Sequence, residues 1–299
     1  MPLPTTHSAD EALVKCLLST QLPRLAALPL ARLDPAGSDN VIYRLGGELS
    51  VRLPRGEWAA EQPEKESRWL PRLAPHLPLA IPEPVALGSP GCGYPWHWSV
   101  SRWLPGSPPE IGALSRPDRT ALDLARFVAA LHRFPVDLSL AAGPHTGFIG
   151  APLARRDADT RAAIAATADV FDRTALTAVW DAALAAPPWP HPPVWVHGDL
   201  HPGNLLMHSG EISAVLDFGG LGVGDPACDA LIAWTLLPPS AREIFRVESG
   251  LDDDSWTRGR GYALSTGLNA YTAYAATNPR VAASTRHQIT ATLADFQRA

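Results

Sequence analysis

Val194-Trp195-Val196-His197-Gly198-Asp199-Leu200-His201-Pro202-Gly203-Asn204, followed after a hairpin's length of chain by Leu216-Asp217-Phe218-Gly219, is the stretch on which the fold turns. The apolar run Val194 to Val196 reads as a short buried strand. Gly198, Pro202 and Gly203 forbid a helix after it, so His197 to Gly203 is a loop. Asn204 to Met207 has strand character, Ser209-Gly210 is a turn, and Ile212 to Leu216 returns as the second strand of a hairpin. The pattern puts Asp199 and Asn204 on one loop and delivers Asp217 on the neighbouring hairpin strand, so the three are expected to converge.

Phosphoryl transfer asks little covalent help of a protein. It needs Mg2+ across the phosphates, an in-line hydroxyl, and a carboxylate to take the hydroxyl proton. An Asp five residues before an Asn, then Asp-Phe-Gly, supplies those parts. The run His197 to Asn204 with Leu216 to Gly219 resembles the aminoglycoside phosphotransferase family, distant relatives of the protein kinases, whose matching runs are H-R-D-x-x-x-x-N and D-F-G. The resemblance extends roughly from Asp34 to Pro279 and is specific between Val194 and Asp229.

The resemblance implies Asp199 as catalytic base, Asn204 as one Mg2+ ligand and Asp217 as the principal one. His197 is then a strut, and His201, where protein kinases usually carry Lys, touches the γ-phosphate. Gly224-Asp225-Pro226 with Asp229 also matches the family, where the acidic pair braces the loop after the metal-binding Asp; Asp225 is expected to be structural. The implied fold is α+β: a bilobal protein-kinase-like fold with an N-lobe of antiparallel sheet plus helix over 1–103. A larger, mainly helical C-lobe covers 104–299.

Patterning upstream agrees with that layout. A helix is expected from Ser8 to Gln21, and Val41 to Leu53 alternates around Gly46-Gly47 as a hairpin. Glu61 to Leu73 reads as a helix, and a strand pair follows around Ala86-Leu87 and Tyr94 to Trp103. Leu104 to Pro109 extends neither element type and marks the lobe junction. Helices follow at Arg119 to Phe134, along the Ala-rich stretch Asp157 to Ala186, and at Ser255 to Ala276 and Arg280 to Arg298.

By the same resemblance the first lobe holds the nucleotide. Gly37 to Tyr43 lies where such a fold has its glycine-rich loop, with Ser38 and Asn40 facing the phosphates, though it carries one glycine. Arg52 stands where the phosphate-contacting Lys of V-A-I-K is expected; a guanidinium keeps the charge and changes the geometry. Its ion-pair partner is expected to be Glu66, since Glu66-Ser67-Arg68-Trp69-Leu70 fits the family's Glu-x-x-x-Leu better than Glu64 does. The hinge falls near Ser99 to Leu104, where Ser101 and Trp103 offer backbone to the adenine edge of ATP or GTP.

A net charge of −5 and the lack of any Lys/Arg stripe argue against a nucleic-acid partner. Lys15 and Lys65 are the only lysines. Three cysteines, Cys16, Cys92 and Cys228, do not suggest a disulfide framework, Met1 to Asp10 has neither a basic start nor an apolar run, and no membrane span is visible. A cytoplasmic monomer, bound to a nucleoside triphosphate and a small-molecule hydroxyl acceptor but to no membrane, is the expectation. Gly220 to Gly224 mimics a dinucleotide loop, yet Asp225-Pro226 follows it and no helix opens. His197 and His201 have the spacing of a zinc helix that Gly198 and Pro202 exclude.

The acceptor is the open point. An aminoglycoside or other antibiotic is the first expectation, and acidic Glu243, Glu248 and Asp252 to Asp254 either line a cationic-acceptor site or form a solvated charge run. Kinases of small metabolites such as choline, homoserine or sugars, and a non-catalytic nucleotide-binding module, are the alternatives. The short span between Asp217 and Asp225, with no Ala-Pro-Glu after it, disfavours a protein kinase.

Overall fold

In the computed structural model, residues 9–33, 39–137 and 149–298 are described. They divide into two compact units. One comprises Met1–His76, Ala80–Pro105 and Val215–Gly219, the other Leu77–Leu79, Gly106–Ala214 and Gly220–Ala299.

The first unit begins with α1 (Glu11–Gln21), started by Asp10, whose carboxylate accepts from Leu13 N at 2.8 Å and so satisfies an orphan donor of the first turn. Val14, Leu17 and Leu18, spaced i, i+3, i+4, make the buried face of that helix. They pack into one apolar cluster with Val41, Tyr43, Leu45, Val51, Leu53 and Val100 of the sheet. The sheet has five antiparallel strands in the order β1-β2-β3-β5-β4: β1 (Leu30–Arg32), β2 (Asn40–Leu45), β3 (Leu49–Pro54), β4 (Pro84–Gly88) and β5 (Trp98–Arg102). The β2–β3 hairpin turns where Gly46-Gly47 predicts, with Gly46 at φ 60° in the left-handed region and Leu45 opposite Leu49. The unit's second helix, α2, spans Gln62–Leu73. Val215 joins this unit through its N–H, which donates to Ala80 O at 2.9 Å.

Two features of this unit depart from the sequence reading. β1 was not expected, because three residues are too few to show an alternation. Cys16 and Cys92 form a disulfide with Cα atoms 6.3 Å apart, tying α1 to the β4–β5 turn, and only Cys228 is free. An odd count hid a pair separated by 76 positions.

The second unit is mostly helical: α3 (Pro117–His132), α4 (Asp157–Ala166), α5 (Arg173–Ala185), α6 (Ile232–Thr235), α7 (Pro239–Ser249), α8 (Asp253–Tyr274) and α9 (Pro279–Phe296). The Ala-rich stretch, read as one helix, is two. Asp172 caps α5 by accepting from Thr174 and Ala175 N–H, which restarts the helix instead of continuing it. Trp180, Leu176, Val179, Leu264, Leu268 and Ile289 bury one core with Val196 of the short strand β6 (Val194–Val196). β6 pairs with β9 (Gly222–Gly224), while β7 (Leu205–His208) and β8 (Glu211–Val215) form the hairpin. The fold is α+β, a five-stranded antiparallel N-terminal sheet followed by a largely helical C-terminal part.

Candidate active-site residues

The loop after β6 is built around a buried carboxylate. Asp229, fully buried, accepts from the backbone N–H of His197 at 3.1 Å and of Gly198 at 2.6 Å. His132, at the end of α3, adds Nε2 at 3.1 Å from Asp229 Oδ2. Gly198 sits at φ 77°, and a Cβ there would lie 1.9 Å from Ile149 Cγ2, so conformation and space both demand glycine. His197, also fully buried, accepts the Asp199 N–H on Nδ1 at 3.2 Å, a strut beneath the loop.

Asp199 is thereby presented on a braced backbone with its side chain 52% exposed. Asn204 closes the loop: Nδ2 donates to Asp199 O at 2.9 Å and to Asp199 Oδ2 at 3.0 Å. His201 Nδ1 accepts from Gly203 N, capping the short turn Pro202–Asn204, and its Nε2 lies 3.5 Å from Asp199 Oδ2. Burial pushes the Asp199 carboxyl up, but His201, His197 and Asn204 outweigh it and leave it below the usual carboxylate range. It is a carboxylate at neutral pH, with one oxygen held and the group open to solvent.

The first unit assembles a second set. Arg52 on β3 donates to both Glu66 oxygens from Nη1, at 3.0 and 2.9 Å, and to Asp217 Oδ1 from Nη2 at 3.1 Å. Burial disfavours the charged guanidinium, yet Glu66 and Asp217 outweigh that and push its pKa up. Burial lifts the Glu66 carboxyl above its ordinary value, with Arg52 opposing. Asp217 adopts φ 60°, a left-handed conformation that Asp tolerates better than most residues and that re-aims its carboxylate at the end of β8. Glu64, the rejected alternative to Glu66, is half-exposed and lies near His97.

Of the remaining candidates, Asn40 is buried and donates to Gln62 Oε1 at 3.0 Å, and Gln62 Nε2 donates to Asp39 Oδ2 at 2.8 Å. Ser38 lies outside the described residues. Ser101 is buried in β5, its carbonyl accepting from Ser50 Oγ at 3.4 Å. Trp103 has spent its N–H on Glu48 O at 2.7 Å and its ring lies under Arg44, 4.2 Å from the guanidinium carbon. Of the acidic residues considered for a cationic acceptor, three are engaged locally. Asp252 caps α8 through Ser255 N, and Glu243 and Asp253 both pair with Arg246.

Sequence reasoning missed His132 and Lys65. His132 meets Asp229 from 97 positions away. Lys65 Nζ donates to Gly219 O at 2.5 Å, 154 positions away. Its ammonium is half-buried, and desolvation brings its pKa down to about 8 despite nearby Glu66, Glu61 and Asp217.

No cluster of three or more His, Cys, Asp or Glu side chains suited to a metal occurs among the described residues. A protein-only cage for zinc or calcium is therefore not what these residues offer. Magnesium is bound by one or two hard oxygen ligands with nucleotide phosphates and water completing the set, and the chain has that chemistry. Asn204 spends its two side-chain N–H bonds on Asp199, so its oxygen is the atom it offers a cation, and Asp217 offers a carboxylate.

The sequence matches the phosphotransferase enzyme family, APH, over residues 31–264. No curated protein matches it significantly. Among solved structures, the GDP and kanamycin complex of APH(2")-IIia superposes with a TM-score of 0.72 at 19% identity, covering 94% of this chain and 98% of that one. The streptomycin-ATP-APH(2")-IIa ternary complex gives 0.63 at 16%, covering 91% and 95%. The apoenzyme of macrolide 2'-phosphotransferase MphH from Brachybacterium faecium gives 0.56 at 28%, covering 92% and 98%. The two below 25% identity speak for the fold, which is kinase-like.

Proposed function

The chain belongs to the phosphotransferase enzyme family, and from that premise we propose that it transfers the γ-phosphoryl group of ATP or GTP to a hydroxyl of an antibiotic. The observation that carries the reading is Asp199: a carboxylate held ionised, half-exposed, on a loop braced from beneath by buried Asp229 and His197. A nucleotide-binding module without chemistry has no need of such a group.

In this reading Asp199 accepts the acceptor hydroxyl's proton and orients its oxygen, while Asn204 keeps the second carboxylate oxygen in place. In the same reading Asn204 and Asp217 are the residues that would each offer magnesium an oxygen, and the ion would supply positive charge against the phosphates. Arg52 positions Asp217 and supplies positive charge to the phosphates, and buried Glu66 fixes the guanidinium plane. Asn40 and His201 complete the nucleotide contacts, with the backbone near Ser101 and Trp103 at the base.

Aminoglycosides and macrolides both enter the acceptor question. The 28% identity to a macrolide 2'-phosphotransferase favours a macrolide hydroxyl as a second reading beside the aminoglycoside one. Release of ADP or GDP across a panel of aminoglycosides, macrolides and amino alcohols tests both. Turnover with only an amino alcohol or sugar would replace the antibiotic reading with a metabolite kinase. Nucleotide-dependent thermal stabilisation without turnover on any acceptor would leave a binding module.

A further inference from the structure

The chain has two lysines, and they are placed very differently. Lys15 is a solvated residue of α1 paired with Glu11 at 2.6 Å. Lys65 projects from α2 and donates to the Gly219 carbonyl at 2.5 Å, two residues beyond Asp217. The residue after it in the helix, Glu66, reaches the other end of the same segment through Arg52, which donates to Asp217 Oδ1 at 3.1 Å. Adjacent residues of one helix thus hold both ends of the three-residue turn Asp217-Phe218-Gly219.

That turn needs holding. Asp217 is in the left-handed region, which costs a non-glycine residue roughly 1 kcal/mol or more and survives only where the surroundings enforce it. Inside the turn, Gly219 N donates a long hydrogen bond to Asp217 Oδ1, at 3.4 Å. Gln62, one helical turn before Glu66, crowds the same place: a Cβ on Gly219 would lie 2.6 Å from its Nε2. Gln62, Lys65 and Glu66 therefore form one face of α2 directed at residues 217–219 and at Asp39 and Asn40.

Resting on the phosphotransferase reading, we infer that Lys65 is a positioning residue that sets the Asp217 carboxylate by anchoring the Gly219 carbonyl. An ammonium suits the task because a charged donor to a carbonyl is stronger than a neutral one and its long stem spans from the helix to the turn. Its action is on metal affinity and rate, through Asp217, and not on the acceptor.

The test compares Lys65→Met, which keeps the stem and removes the donor, with Lys65→Arg and Lys65→Gln, and with Lys15→Met as control. Amide hydrogen exchange over residues 216–220 of the nucleotide-free protein should quicken in Lys65→Met, stay near wild type in Lys65→Arg, and be unchanged in Lys15→Met. The Mg2+ concentration for half-maximal nucleotide turnover should rise about 10-fold or more in Lys65→Met, in the range seen when the partners of metal ligands are removed, with acceptor KM within about twofold. Unaltered exchange at 216–220 in a folded Lys65→Met or Lys65→Gln protein would overturn the inference. So would equal loss of Mg2+ response in the Met and Arg variants. A wild-type protein that binds no Mg-nucleotide would defeat the phosphotransferase reading instead, and the exchange measurement would still decide Lys65.

Discussion

A single nitrogen of Arg52, Nη1, donates to both carboxylate oxygens of Glu66, at 3.0 and 2.9 Å. This leaves Nη2 for Asp217, so one guanidinium serves two carboxylates at once. Both side chains of the pair are nearly out of solvent, 12% and 5% exposed. Removing one partner of such a pair strands the other as a buried charge.

Arg52→Ala should therefore lower stability by about 3 kcal/mol, and Glu66→Gln added to it should restore part of the loss. The pH dependence follows from the raised pKa of Glu66. A carboxyl whose folded pKa exceeds its unfolded one contributes stability below the unfolded value and loses it as pH rises through the folded value. Without Arg52 that window widens, so the variant's deficit should be smallest near about pH 4–5 and grow toward neutrality. Urea titrations of the three proteins at several pH values check this. A constant deficit across that range would return the pair to a solvated role.

Asp199→Asn keeps the shape of the loop and removes the base. With an accepted substrate kcat should fall by about 10²- to 10⁴-fold while nucleotide affinity holds. Because the carboxyl sits below its usual range, protonation of Asp199 should take away no activity between about pH 7 and 5. Single-turnover rates and melting temperature measured on one preparation separate a lost base from a lost fold. A near-wild-type rate would end the catalytic assignment.

Asp229→Ala leaves the buried N–H groups of His197 and Gly198 without an acceptor, at about 1–3 kcal/mol each. The variant should be destabilised by about 3 kcal/mol and lose rate with it. Gly198→Ala should be at least as damaging, since a methyl group would meet Ile149 in a left-handed backbone. Denaturant midpoints read both, and a stable Gly198→Ala protein would contradict the packing described.

The readable parts of this chain were those whose signals are local. Gly46-Gly47 and Ser209-Gly210 announced hairpins because turns with positive φ need glycine or a short polar residue, and Gly198 and Pro202 announced a loop for the same kind of reason. Glu66 was separable from Glu64 only through the resemblance, because Glu66 to Leu70 fits the family's Glu-x-x-x-Leu. The break between α4 and α5 was written in Asp172, yet alanine on both sides masked it, because high helix propensity carries no phase. His132, Lys65 and the Cys16–Cys92 bond were not legible. Each is defined by a partner 97, 154 or 76 positions away, and a lone His, Lys or Cys carries no mark of who will stand opposite.

The disulfide gives a prediction of its own. Both cysteines are exposed, so mild reductant should reach the bond. A bridge closing 76 positions limits the unfolded chain by up to about 4 kcal/mol, and reduction or Cys16→Ser should lower the melting temperature by roughly 10 °C or more. Turnover at a temperature where both forms are folded should not change, since neither cysteine touches the proposed machinery. Loss of activity on reduction without loss of structure would contradict that.

The assignment of Val215–Gly219 to the first unit bears on how the protein is born. The ribosome delivers the sheet strands and α2 early, but the segment that pairs with Arg52 and Ala80 follows Pro105 by roughly 110 residues. At about 5–20 residues per second that is an interval of roughly 5–20 s. During it the nascent N-terminal unit holds Arg52 and Glu66 without Asp217, and Lys65 without its carbonyl. Its final fold is a post-dated event, completed only when nearly three quarters of the chain has left the tunnel.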